Sequence, residues 1–165
     1  MEYQFKQTAA CTYLCAGEST DWATLPGAIG RVSEAVRREL EALGINRSGP
    51  ATLFYRFQND PHRPEGKHGQ FLVEAQCPVD RAAEQVRTYQ GPLTLRTIGA
   101  VECAFLVHRG PIPVGGLPWY QVREFAEGGP CRRTLEEREV YVRFGGGSPD
   151  NDIIELQCLL AAQRG

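Results

Sequence analysis

The chain has 165 residues, with 18 basic and 20 acidic side chains interspersed and a formal net charge of −2. That length suits one domain, or two small halves packed together, and buries about two-thirds of the unfolded surface. Mixed charge leaves no electrostatic footprint for nucleic acid or an anionic membrane, and no apolar run approaches the ~20 residues that a bilayer span needs.

The opening MEYQFKQTAACTYLC lacks a basic stretch followed by an apolar one, so a soluble cytoplasmic protein is expected. CTYLCAG (11–17) alternates as a strand. ATLPGAIGRVSEAVRRELEALGI (23–45) then carries Ile29, Val32, Val36, Leu40 and Leu43 on one helical stripe, with Gly44 as the stop. LFYRF (53–57) and VEAQC (73–77) read as strands around the loop QNDPHRPEGKHG, 58–69. A polar linker over roughly 80–92 passes through Gly91-Pro92. CAFLVHRG (103–110) follows as a strand, and GGLPWYQVREFAEGG holds a shorter helix from about Pro118 to the Gly128-Gly129 pair. VYVRF (140–144) and IELQC (154–158) close the series as strands, joined by the loop GGGSPDND, 145–152.

These elements repeat in order. CTYLCAG resembles CAFLVHRG, LFYRF resembles VYVRF, and VEAQC resembles IELQC, with a helix after the first strand of each set. The expected fold is α+β: one domain over 1–165, made of duplicated βαββ modules at about 1–80 and 93–165. Pseudo-two-fold symmetry would place antiparallel sheets around a central ligand cleft, with helices on the outer faces.

Strand alternation assigns side chains to faces. Val73, Ala75, Cys77 and Ile154, Leu156, Cys158 form apolar sets for the helices to cover, as do Leu53, Tyr55, Phe57 and Val140, Val142, Phe144. The opposite face then carries Glu74, Gln76, Glu155 and Gln157 with Phe54, Arg56, Tyr141 and Arg143. A carboxylate in a partly dry cleft is costly unless paired, and a cationic ligand flanked by aromatic rings would relieve that cost. Arg56 or Arg143 would instead make an ordinary ion pair.

Other signals are structural. Cys11, Cys15, Cys77, Cys103 and Cys158 lie in apolar alternating runs and read as reduced buried thiols, while Cys131 in GGPCRR reads as an exposed thiol with no recognisable catalytic partner. His62 and His68 share a loop with Asp60 at a spacing that fits no standard metal motif, so no metal is expected. GGGSPD lacks the Lys-Ser/Thr end of a phosphate loop, and His108 beside Gly110-Pro111 reads as a structural hydrogen-bonding residue.

AFLVHRGPIPVGGLPWYQVREF, LFYRFQNDP, REVYVRF with its Glu139-x-Tyr141, and IIELQCLL together resemble the GyrI-like small-molecule-binding domain. That domain is the effector-binding module of AraC-type and MerR-type regulators, and it also occurs as stand-alone proteins. The resemblance implies a tandem βαββ fold around a central cleft. It matches the cleft glutamate to Glu155 and its tyrosine partner to Tyr141, with Trp119, Tyr120, Phe54, Tyr13 and Phe105 as aromatic walls and Glu74 as the repeat partner of Glu155. The chain departs from the regulators in having no helix-turn-helix segment, so no direct DNA binding is expected, and in lacking the usual proline of the final strand.

Two functions follow from the resemblance. One is capture of amphipathic aromatic, often cationic molecules, as in multidrug or toxin binding. The other is hydrolysis of the cyclopropane ring of DNA-alkylating natural products, with Glu155 activating water and Tyr141 assisting. No cofactor is expected. A protein partner, such as gyrase, is compatible with the resemblance but has no residue assigned to it.

Overall fold

The computed structural model describes residues 3–112 and 116–162, which leaves Pro113–Gly115 of the quoted segment outside the described residues. In chain order the elements are β1 (Tyr3–Thr8), β2 (Cys11–Thr20), α1 (Leu25–Leu43), β3 (Thr52–Phe57), β4 (Phe71–Pro78), the single turn α2 (Glu84–Arg87), β5 (Thr94–Ile98), β6 (Val101–Arg109), α3 (Leu117–Glu127), β7 (Arg133–Arg143) and β8 (Ile153–Leu160). The expected modules are β2-α1-β3-β4 and β6-α3-β7-β8.

The two modules share one antiparallel sheet of order β1-β6-β8-β7-β3-β4-β2-β5, continuous through the β3–β7 pair at its centre. β1 and β5 were not expected from the sequence. Each is short and no more than half-buried, which leaves little hydrophobic pattern to read. Each precedes one module yet pairs with the other: β1 lies on β6, and β5 on β2. Only Ala9-Ala10 separate β1, at one edge, from β2, the seventh of the eight strands, so the sheet must curl until its ends approach.

Both helices pack on the same face. Asp21 Oδ1 accepts the Thr24 amide at 2.8 Å ahead of α1, and Pro26 pre-sets the first turn. Gly44 ends the helix at φ +66°, a left-handed conformation that a side chain would resist. Ala28, Val32 and Val36 are buried against Leu53, Tyr55, Phe57, Val73, Ala75 and Cys77. On the second module Val122 and Ala126 of α3 meet Ala104, Leu106, Ile154, Leu156 and Cys158.

One face assignment is reversed. On β7, Glu137, Glu139 and Tyr141 stand opposite Cys158, Leu156 and Ile154, so they point toward the helices, while Val140 stands opposite Glu155 on the other face. Val142 and Phe144 are exposed rather than covered. The cause is a one-residue slip: Tyr141 matches Tyr55, which stands opposite Val73 as Tyr141 does opposite Ile154, rather than Phe54. With a side-chain period of two, one residue inverts the strand. Register shifts between Arg133 and Glu137 and between Tyr141 and Arg143 also break β7's alternation.

Candidate functional site

The reversal brings an acid under the helices. Glu139 lies on the central seam, between Leu53 of β3 and Leu156 of β8, and is 9% exposed. The Tyr55 hydroxyl donates to its Oε1 at 2.8 Å, and the Tyr141 hydroxyl to its Oε2 at 2.7 Å. Burial pushes the Glu139 carboxyl above its ordinary value. Hydrogen bonds from Tyr141 and Tyr55 oppose that shift, and the neighbouring Glu137 charge adds to it. The same burial, with the Glu139 charge, raises both phenols, so they remain donors.

Glu137 is satisfied differently. Arg123 of α3 meets it side-on, Nε to Oε2 and Nη2 to Oε1, both at 2.7 Å. Trp119 covers that guanidinium, with its ring centroid 5.3 Å from Cζ. Of the buried glutamates, Glu74 and Glu137 each carry a guanidinium, whereas no ion pair to Glu139 occurs among the described residues.

Aromatic rings extend from this acid. Tyr55 stacks on Phe57 (6.0 Å), Phe57 lies 5.0 Å from Phe71, and Trp22 lies 4.7 Å from Phe71 at the surface. The Trp22 indole donates to Gly66 O at 2.8 Å. Gly66 is obligatory there, since a Cβ would fall 2.0 Å from Asp60 O. On the other side Tyr141 meets Phe144 edge-on at 5.0 Å and walls a cavity of about 620 Å³ between α1 and the sheet.

The expected residues on strands other than β7 occupy the opposite face of the sheet. Glu155 accepts Gln157 Nε2 at 2.8 Å and is ion-paired to Lys6 of β1, whose ammonium lies 4.3 Å from the centroid of the Phe105 ring. Glu74 accepts Gln76 Nε2 at 2.8 Å and Arg96 Nη2 of β5 at 3.0 Å. The two triads repeat one another, each cation arriving on an exchanged strand. Tyr13 is half-buried here, and Phe54 packs with Cys103 and Leu159, with Phe105 against them. Neither arginine suspected of pairing with these acids does so: Arg56 Nη2 lies 3.8 Å from Glu136, and Arg143 Nε donates to Asn151 O.

Tyr141 therefore does not share a face with Glu155, which corrects the pairing expected from the sequence. Trp119 stands by the seam, while Tyr120 is 53% exposed, its ring 4.8 Å from that of His62 and tilted 40° to it. Glu139, Tyr55 and Trp22 were not singled out. The signal for the first two lay in matching Tyr55 to Tyr141, which puts two tyrosines and the Glu139-x-Tyr141 acid on one seam.

Lesser expectations can also be placed. His108 Nε2 meets Pro111 O at 2.9 Å. All six cysteines are free thiols, with Cys131 half-buried rather than exposed and Cys11 half-buried rather than buried. Donor atoms of His62, Glu124 and Glu127 lie within 4.8 Å of one another and could hold a metal. His62 Nε2 already meets Glu124 at 2.6 Å, and both Arg63 and Arg133 lie 3.2 Å from Glu127, so ion pairing accounts for the cluster.

No protein-family model and no curated protein sequence matches this chain. Solved structures do. SAV2435 bound to tetraphenylphosphonium aligns with TM-score 0.66 and 14% identity over 98% of this chain and 94% of that one. The EcmrR C-terminal domain aligns with TM-score 0.68 and 16% identity over 97% of each chain. A hydrolase encoded by lin2189 from Listeria innocua aligns with TM-score 0.60 and 12% identity over 97% of this chain and 92% of that one. At these identities the likeness shows the fold, and it is the fold that the GyrI-like resemblance implied.

Proposed function

We propose that the chain binds a small amphipathic aromatic cation over the β3–β7 seam, with Glu139 as its charge partner and Tyr55, Tyr141 and Trp119 as its walls. One observation carries this reading: Glu139 is a buried acid whose oxygens meet two phenols and no cation among the described residues. A ligand cation would offset the desolvation that raises its pKa, and each ring facing the cation adds roughly 0.5–2 kcal/mol. SAV2435, whose fold this chain shares, is bound to a phosphonium carried on phenyl rings. Glu155, the carboxylate expected from the sequence, already holds Lys6, which a ligand there would have to displace. Titration with tetraphenylphosphonium should quench tryptophan fluorescence, and neutral triphenylphosphine oxide should bind more weakly. Equal affinity for the two would remove the electrostatic reading.

A second reading, hydrolysis, is favoured by the raised pKa of Glu139 next to two phenols. In it Glu139 takes the proton of a water attacking a cyclopropane carbon, while Tyr141 donates toward the charge released by the opening ring. Incubation with a cyclopropane-bearing alkylator should then yield a hydrated product that disappears in Glu139→Gln. Binding without turnover leaves the first reading alone.

A further inference from the structure

Every charged side chain lining the cavity between α1, β3, β4 and the end of β7 is an arginine: Arg37, Arg47 and Arg143. No acidic side chain among the described residues lines it. Arg37 is committed elsewhere, to Glu34 and Glu41 on its own helix. Arg143 uses its Nε on the Asn151 carbonyl, and neither it nor Arg47 is ion-paired among the described residues. Arg47 acts on the interior: burial pushes the Cys77 thiol up, and the Arg47 charge opposes that. Behind the arginines the walls are apolar, from Val36 and Leu40 of α1 to Leu53 and Ala75 of the sheet, with Phe144 62% exposed at the rim. The volume, about 620 Å³, falls within the range of small-molecule sites.

We propose that this cavity binds an amphipathic anion, its hydrocarbon or aryl body against Val36, Leu40 and Leu53 and its carboxylate, sulfate or sulfonate head between Arg47 and Arg143. Field and shape agree. Two guanidiniums without carboxylate partners attract an anionic head and repel a cationic one, while the apolar walls reward a tail. The inference goes beyond the seam reading and does not use Glu139; the two places meet at Tyr141, a wall of both, and at Leu53, the cross-strand neighbour of Glu139.

Calorimetry with dodecanoate below its micelle concentration, at low salt, tests it. Dodecanoate should bind and dodecyltrimethylammonium should bind far more weakly. The exposed pair Arg47→Ala/Arg143→Ala should lower dodecanoate affinity roughly tenfold, and added salt should weaken the parent alone. Ser33 is an exposed α1 residue on the cavity wall, and Ser33→Phe should block binding without disturbing the fold. Equal affinity for the two surfactants would overturn the proposal, as would indifference to the arginine pair or to Ser33→Phe. Loss of dodecanoate binding in Glu139→Gln would also overturn it, by moving the anion to the seam. Failure of tetraphenylphosphonium to bind would count against the seam reading alone.

Discussion

Tyr55 and Tyr141 occupy matching positions in the two modules, opposite Val73 and Ile154, and donate to different oxygens of a single carboxylate, Glu139. The duplication supplies two phenols, but the acid comes from one copy only, since Leu53 stands at the matching position of β3. A symmetric scaffold thus carries an asymmetric charge.

That charge sets a pH dependence. The folded-state pKa of Glu139 lies above the ordinary value of 4.5, so the native state holds the proton more tightly than the unfolded chain. This group's contribution to stability is most favourable below 4.5 and is lost as pH rises through the raised value. Thermal midpoints followed from about pH 4 to about pH 8 should show a decline that Glu139→Gln flattens. Affinity for a cation should run the other way, rising with pH as the carboxylate ionises.

Either phenol can be removed singly. Tyr55→Phe and Tyr141→Phe should each cost about 1.5–3 kcal/mol, the range for hydrogen bonds to a charged group, read from urea denaturation. Because both serve one acceptor, the double variant should depart from the sum of the single ones.

Removing Arg123 leaves Glu137, among the described residues, only the distant Arg133, whose Nη1 lies 3.9 Å from its Oε2. Arg123→Met leaves Glu137, 1% exposed, without its bidentate partner and should cost about 3–5 kcal/mol. Arg123→Met combined with Glu137→Leu should recover most of that loss, which a chemical denaturation series would show.

The opposite face should be more tolerant at one of its two pairs. Lys6 is 37% exposed at the side chain and belongs to an edge strand, so Lys6→Ala should cost no more than about 1 kcal/mol. Arg96→Ala removes the cation of the buried Glu74 and should cost more, which urea denaturation of the two variants would show.

Strongly periodic segments told most of the fold in advance. The stripe of α1 and the alternation of VEAQC and IELQC predicted the helix-covered face, and the ordered matches predicted the duplication. What escaped were strands with weak patterns and one register. YQFKQT and TLRTI have too little burial to declare themselves, yet they deliver Lys6 and Arg96 to the two glutamates. VYVRF looks like LFYRF letter by letter, but matching it one residue out exchanged Glu139 for Glu155 as the acid beside Tyr141. Which strand a cation arrives on is a long-range fact that no local pattern encodes.

In the proposed site Glu139, not Glu155, faces the ligand cation. Tetraphenylphosphonium titrated against the parent, Glu139→Gln and Glu155→Gln measures this most directly. Glu139→Gln should lose about tenfold or more in affinity, the worth of one buried charge interaction, while Glu155→Gln should bind as the parent does. Undiminished binding by Glu139→Gln, with loss in Glu155→Gln, would contradict it.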